Sequence, residues 1–123
     1  MTPLQRWQKK FAHAIRGLVI GMHGQSSFVI HLLAALAAMA AGWIFKLSAS
    51  EWSVLALTIG LVLAMELLNS GLESLARAVD EKQNPWIADA LDIAAGAVLL
   101  ASLVAIIVGI CLFGPRVWAL WVA

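Results

Sequence analysis

Charged residues are scarce in this chain: Asp, Glu, Lys and Arg make up only 12% of its 123 residues. Soluble domains carry about a quarter charged residues. Here 63% of the residues are hydrophobic and the mean hydropathy is +0.92. The composition leaves too few polar groups to solvate the surface of a soluble globule, so it excludes an ordinary water-soluble domain. It indicates instead a protein that crosses a membrane several times.

Cysteine is nearly absent as well, since Cys111 is the only one in the sequence. A single cysteine excludes an internal disulfide and a cysteine-based metal cage, and we expect Cys111 to be a small apolar filler in a buried helix. The net charge is only +1, and no basic tract is interleaved with aromatic residues, which argues against nucleic-acid binding. Glycine-rich phosphate loops, HExxH and the nucleophile elbow are also missing.

The N-terminal segment, about residues 2–21, is predicted to be an amphipathic helix. Its apolar residues recur at spacings of three and four, which places them on one helical face with cations on the other: Leu4, Trp7, Phe11, Ile15 and Leu18. We expect this helix to lie in the membrane interface. The segment has no compact apolar run followed by a small-residue cleavage site, so a cleaved signal peptide is not expected.

Three longer apolar segments predict membrane-spanning helices at about 28–45, 52–80 and 86–113. The first of them is rich in alanine, whose small side chain lets helices approach closely in lipid. We therefore predict an all-α membrane protein with one surface helix and three spans per subunit, forming a single domain over residues 1–123.

Local signals mark the ends of these spans. Ser48 and Glu51 have the spacing of a capping box before the second span. Asn84-Pro85 is a typical start for the third, with asparagine as the N-cap and proline at the first helical position. Gly114-Pro115 is expected to end it.

The cations are distributed unevenly between the two ends of the spans. Lys46 and Arg116 lie at one end, and the other six of the eight lysines and arginines lie in the N-terminal segment and around residues 77–84. By the positive-inside rule, we expect the N-terminus and the second loop to face the cytoplasm. The tryptophans fall near the predicted span ends, where we expect them to act as interfacial anchors.

The stretch M-E-L-L-N-S-G-L-E, residues 65–73, is chemically the most informative. Its polar residues are spaced i, i+3, i+4 and i+7, which puts them on one helical face: Glu66, Asn69, Ser70 and Glu73. A carboxylate that continues an apolar run is costly in lipid, so Glu66 should face a protein interior or a polar cavity and mark a functional site. Glutamates paired only for packing specificity are the alternative, but two acids and an asparagine on one stripe favour function.

A second acidic pair, Asp89 and Asp92, opens the third span. Asp89 suits the first helical turn, where acids complement the helix dipole, and the deeper Asp92 is the better functional candidate. His31, on an apolar face, is expected to be a hydrogen-bonded structural group rather than a metal ligand. Carboxylates at this depth could hold divalent cations and their phosphates, or act as a base on a lipid hydroxyl.

Residues 65–73, together with A-L-D-I-A-A-G-A-V-L-L at 90–100, resemble the small bacterial integral-membrane diacylglycerol kinase family. F-V-I-H-L at 28–32 and E-W-S-V-L-A-L-T-I-G-L-V-L-A at 51–64 are similar to its undecaprenol-kinase branch. The likeness covers about residues 6–112. It implies a homotrimer that transfers the γ-phosphate of ATP, with Mg²⁺, to a lipid alcohol (undecaprenol or diacylglycerol) at the cytoplasmic face.

The resemblance also implies roles for individual residues. Glu66 matches the catalytic base, which would deprotonate the lipid hydroxyl. Glu73 matches a metal-coordinating glutamate of the nucleotide site, and Asn69 matches its polar neighbour there. Asp92 and Arg6 match an aspartate of that site and a nucleotide-contacting arginine on the surface helix.

Three positions depart from the family pattern. Gln25 stands where a second metal-binding glutamate is usual, and its carbonyl can still coordinate magnesium without contributing negative charge. Leu91 replaces the lysine of a Lys-Asp pair, which removes a cation expected near the nucleotide phosphates. Arg77 stands in place of a common aspartate, and Arg77 or Lys82 would then supply a cation to the nucleotide.

These departures leave three functions open. The first is a lipid kinase, the second is a catalytically impaired member of the family that acts as a lipid-binding membrane protein, and the third is a related phosphotransferase with a different donor or acceptor.

Overall fold

A computed structural model of the protein describes residues 1–23, 26–79 and 84–123. Over these ranges the chain forms α1 (Pro3–Met22), α2 (Ser26–Ile44), α3 (Ala49–Val79) and α4 (Pro85–Val122). The all-α fold is confirmed, and the predicted helix ends agree with the observed ones to within three residues, except at the end of α4.

The surface helix α1 begins with a reciprocal capping box. The Thr2 hydroxyl accepts a hydrogen bond from the Gln5 amide (3.2 Å), and the Gln5 side chain accepts one from the Thr2 amide (2.8 Å). None of its residues is buried, and its apolar side chains, such as Trp7 and Phe11, stand exposed. Such a helix suits the membrane interface, where one face contacts lipid.

Helices α2, α3 and α4 are each long and apolar enough to cross a membrane. At 31 and 38 residues, α3 and α4 are about 46 and 57 Å long, against a hydrocarbon core of about 30 Å. Both are therefore longer than the hydrocarbon core is thick. Large apolar side chains on these helices, such as Leu57 and Ile93, are mostly exposed in the single chain, as expected for surfaces that meet lipid or another subunit. The protein is a multi-pass membrane protein.

A tight turn joins α2 to α3. The Leu47 amide donates to the Gly42 carbonyl (3.1 Å) and the Lys46 amide to the Trp43 carbonyl (3.3 Å), the two bonds of a Schellman motif. Lys46 occupies the left-handed position of that motif, at φ 53°. The predicted capping box follows directly, because the Ser48 amide donates to Glu51 (3.1 Å) and the Glu51 amide donates to the Ser48 hydroxyl (3.2 Å).

Helix α4 begins as predicted, with the Asn84 side chain accepting from the Trp86 amide (3.0 Å). The expectation that it ends at Gly114-Pro115 is wrong, since the helix continues to Val122. Proline removes one backbone hydrogen bond from a helix, here the bond to the Cys111 carbonyl. The residue after it, Arg116, donates its side chain to the Leu112 carbonyl (2.6 Å) and pairs with Glu51 at the start of α3, so a tertiary contact anchors the part of α4 that follows the proline.

A small apolar core lies beside this ion pair. Leu47, Leu55 and Leu112 are buried against one another, with Phe113 packed on them. Cys111, expected to be buried, is exposed instead. Successive helical residues are rotated by about 100°, so the face of α4 that buries Leu112 in this core turns Cys111 outward.

Candidate active site

The polar stripe of α3 lies toward the end of the helix opposite this core. Glu66 is 15 residues beyond Glu51, which corresponds to about 22 Å along the helix axis. Glu73 is 22 residues beyond Glu51, which corresponds to about 33 Å. Because the hydrocarbon core is about 30 Å thick, Glu51 and Glu73 lie near opposite membrane surfaces. Glu66 then lies just inside the surface that Glu73 reaches.

The stripe is buried in the bundle at three of its four positions. Glu66 is 2% exposed, Ser70 8% and Asn69 9%. Glu73 is partly exposed. Among the described residues, Glu66 is the only charged side chain that is fully buried. A buried carboxylate is costly unless it is paired and hydrogen-bonded, so its partners define the site.

Both carboxylate oxygens of Glu66 have a partner on α2. The Ser27 hydroxyl donates to Oε1, and Nε2 of His31 lies 3.5 Å from Oε2. Ser70 donates its hydroxyl to the Glu66 backbone carbonyl (3.0 Å), one turn back on α3. Each oxygen of the Glu66 carboxylate is therefore contacted by a different side chain of α2.

Glu73 forms the second part of the site. The Asn69 amide nitrogen donates to Glu73 Oε1 (2.9 Å), and Nη2 of Arg77 lies 4.0 Å from Oε2. Because Asn69 uses its amide nitrogen in this bond, its carbonyl oxygen remains able to accept a donor or a cation. The three side chains lie on successive turns of one helix.

Glu73 and Asn69 carry the kind of oxygen atoms that magnesium prefers as ligands. Over the described ranges, no group of three or more His, Cys, Asp or Glu side chains could hold a metal ion. Magnesium in phosphoryl-transfer sites is commonly bound by one or two carboxylates together with substrate phosphates and waters. The Glu73 carboxylate and the Asn69 carbonyl match that requirement. Gln25 and Lys82, which the sequence suggests as metal and nucleotide ligands, lie outside the described residues.

A partly open groove separates α1 from the end of α3 that carries Glu73. Its volume is about 600 Å³, and its polar lining residues are His23, Ser70, Ser74 and Arg77. The groove therefore gives water-soluble ligands a route to the polar stripe. Arg77, which the sequence suggests as a substitute cation, is part of its wall.

A second cavity, of about 340 Å³, lies within the membrane-spanning part between α2, α3 and α4. Four alanines of α2 form much of one wall: Ala34, Ala35, Ala38 and Ala41. Small side chains at these positions thus leave space between the helices. His31 lines the same cavity and also contacts Glu66. This intramembrane cavity therefore reaches the immediate surroundings of the buried carboxylate.

Arg6 and Asp92 are not brought to the polar stripe in the single chain. Arg6 lies on the exposed first turns of α1, and Asp92 is exposed near the start of α4. In the part of the chain that the structure describes, neither side chain forms a hydrogen bond or ion pair with Glu66. The structure thus brings together Glu66, Asn69 and Glu73 and leaves the other two apart.

Ser27 and His31 are the site residues that sequence reasoning missed. The sequence predicts a structural polar role for His31, but it does not indicate the contact with Glu66. A signal existed, because the two residues are spaced i, i+4 in an apolar helix and therefore share one face. That spacing alone does not show which neighbouring helix the face meets.

Comparison with known proteins gives consistent results. The family model for prokaryotic diacylglycerol kinase matches residues 12–113 of the chain. An undecaprenol kinase of Bacillus subtilis (strain 168) is 34% identical over 113 residues, which cover 92% of this chain and 92% of that protein. A diacylglycerol kinase of Synechocystis sp. is 40% identical over 113 residues, which cover 91% of this chain and 65% of that protein. No solved structure matches the chain at a significant level.

Proposed function

Because this chain belongs to the prokaryotic diacylglycerol kinase family, we propose that it transfers the γ-phosphate of ATP to the hydroxyl group of a membrane lipid alcohol. The relatives support a lipid kinase. Undecaprenol is the first acceptor to test, since the similarity to an undecaprenol kinase extends over nearly the whole of both chains. Diacylglycerol is the second.

The observation that carries this proposal is the position of Glu66. It is a buried carboxylate held by two side chains of α2, beside a cavity that lies within the membrane. Seven residues further along the same helix, Glu73 is partly exposed, and its neighbours Ser74 and Arg77 line the partly open groove between α1 and α3. A lipid acceptor and a nucleotide donor could therefore approach one helix from opposite sides of the membrane boundary.

In this mechanism Glu66 acts as the general base. Its carboxylate takes the proton of the lipid hydroxyl as that oxygen attacks the γ-phosphorus. The bond between the γ-phosphorus and the bridging oxygen of the β-phosphate breaks, and ADP leaves. Phosphoryl transfer requires mainly positioning of the reactants and neutralisation of charge. Because Glu66, Asn69 and Glu73 lie on one helix, their relative positions are fixed.

Glu73 and the Asn69 carbonyl would hold the magnesium ion that accompanies ATP, and Gln25 is proposed as a further ligand. When bound, this ion neutralises the charge that develops on the phosphates. Arg77 or Lys82 would contribute positive charge near the phosphates, in place of the lysine that is absent at position 91.

Arg6 and Asp92 are proposed to complete the nucleotide site across subunit boundaries. Their exposure in the single chain supports a homotrimer in which a neighbouring subunit brings them near Glu73. The excess of cations at the ends of the spans near Glu73 supports a cytoplasmic location for the site, in the inner membrane of a bacterium.

A phosphotransfer assay on the purified protein tests this proposal. Protein in mixed micelles is given radiolabelled ATP, Mg²⁺ and either undecaprenol or diacylglycerol, and labelled lipid is measured. We expect transfer to at least one lipid and its loss in Glu66→Gln, which keeps the shape of the side chain but removes the base. Ser53→Ala, near the opposite end of α3, is the matched control and should retain activity.

Two other results would favour the remaining functions. An absence of transfer to both lipids, together with no Mg²⁺-dependent ATP binding, would contradict the kinase proposal and indicate a lipid-binding protein. Transfer only with another nucleotide or to a water-soluble acceptor would indicate a related phosphotransferase.

A further inference from the structure

We propose that His31 is a positioning residue for Glu66, holding one oxygen of the carboxylate until the lipid acceptor arrives and then yielding that oxygen to the acceptor hydroxyl. This inference rests on the proposed function and concerns how the acceptor reaches the base. It is carried by the contact between His31 and Glu66 and by the place of His31 in the wall of the intramembrane cavity.

The two contacts of Glu66 on α2 differ in strength. The Ser27 hydroxyl makes a direct hydrogen bond with Oε1, whereas Nε2 of His31 lies 3.5 Å from Oε2. A separation of 3.5 Å is beyond the usual range for a hydrogen bond between nitrogen and oxygen. The His31 contact is therefore the weaker of the two, and Oε2 is the oxygen that can change partner at lower cost.

The surroundings of the two partners also differ. His31 lines the intramembrane cavity, and among the described residues it is the only cavity-lining side chain that pairs with the Glu66 carboxylate. Its side chain is 21% exposed, against 3% for Glu66. An acceptor whose hydrocarbon chain occupies the cavity would therefore meet His31 first and reach Oε2 in its place. Ser27 would continue to hold Oε1 and so preserve the orientation of the carboxylate.

Two substitutions at position 31 distinguish a role in holding the Glu66 carboxylate from a role in filling space. His31→Gln keeps a nitrogen donor of similar reach, whereas His31→Leu keeps an apolar side chain without a donor. We expect His31→Leu to lower kcat by about 10- to 100-fold with little change in the KM for ATP. His31→Gln should retain most of the activity. His13→Leu, the same chemical change on the exposed surface helix, is the matched control.

A stability measurement tests the pairing itself. Removing the partner of a buried carboxylate is destabilising, so His31→Leu should lower the melting temperature in the wild-type background. It should lower it less in the Glu66→Gln background, where no buried charge remains to be paired. A purely packing role for His31 would give the same decrease in both backgrounds.

The outcomes distinguish this inference from the proposed function. An active wild-type protein whose kcat is unchanged by His31→Leu would overturn the inference alone. So would equal losses in the leucine and glutamine variants, or equal melting shifts in the two backgrounds. A wild-type protein that phosphorylates neither lipid would overturn the proposed function, and the positioning role would fall with it.

Discussion

Arg116 binds the carboxylate of Glu51 through both ends of its guanidinium group. Nη1 lies 2.9 Å from Oε2, and Nη2 donates to Oε1 at 2.9 Å. The two residues are 65 positions apart, so this bidentate pair joins the end of α4 to the start of α3. The same arginine also donates to the Leu112 carbonyl, so it anchors the part of α4 that follows Pro115 to α3.

Arg116→Met is expected to destabilise the protein. Both side chains are partly buried, at 29% exposure, and planar bidentate pairs are stronger than single surface contacts. We expect the melting temperature to fall, as measured by thermal unfolding in detergent. Arg77→Met is the control, because its contact with Glu73 is 4.0 Å long and its side chain is 69% exposed. Equal losses from the two variants would contradict the prediction.

Lys46→Gly is expected to stabilise the protein. Lys46 has a positive φ of 53° in the Schellman motif after α2, where a Cβ atom is unfavourable and glycine is preferred. The gain should be about 0.5 to 1 kcal/mol after the greater flexibility of glycine in the unfolded chain is taken into account. Lys46→Val should show the opposite change in melting temperature. A loss of stability in the glycine variant would show that the lysine side chain itself contributes.

Glu73→Gln should raise the magnesium requirement of phosphotransfer. The substitution removes the negative charge proposed to hold the cation, while the side-chain oxygen can still accept the bond from Asn69. We expect kcat/KM at low Mg²⁺ to fall by about 100-fold or more, as seen when a charge-stabilising group is removed. Millimolar Mg²⁺ should restore part of it. The rate is measured as a function of Mg²⁺ concentration. If the variant and the wild type have the same midpoint, Glu73 does not hold the magnesium ion.

The double variant Gln25→Glu, Leu91→Lys should increase the rate of phosphotransfer. Both substitutions introduce residues that the resemblance described above implies, one acid for the metal and one cation for the phosphates. We expect a lower KM for MgATP and a severalfold higher kcat. The two single variants, measured separately, show how much each substitution contributes. A decrease in activity would mean that this chain binds the donor through a different set of residues.

Much of the fold could be predicted from the sequence because its signals are local. The predicted capping residues Ser48 and Asn84 both act on amides within three positions of themselves. Apolar periodicity likewise depends on a few consecutive turns. The end of α4 was predicted wrongly because the decisive contact, Arg116 with Glu51, joins distant parts of the chain.

In the candidate site, too, local contacts could be predicted from the sequence and contacts between helices could not. Asn69 and Glu73 interact across one turn of α3, which their spacing already indicated. The partners of Glu66 lie 39 and 35 positions away, at Ser27 and His31. Helix pairing in the membrane decides which faces meet, and a single sequence does not contain that information.

The uninterrupted course of α3 has a consequence for how the site could evolve. Glu66 and Glu73 are carried by one continuous helix, so their separation of about 10 Å is fixed by backbone geometry and needs no closing of domains. Any adjustment to a longer lipid or a different nucleotide must then come from α1, α2 and α4, which surround that helix. Natural variation in substrate choice among relatives should therefore concentrate in those three helices, while the spacing of the two acids stays constant.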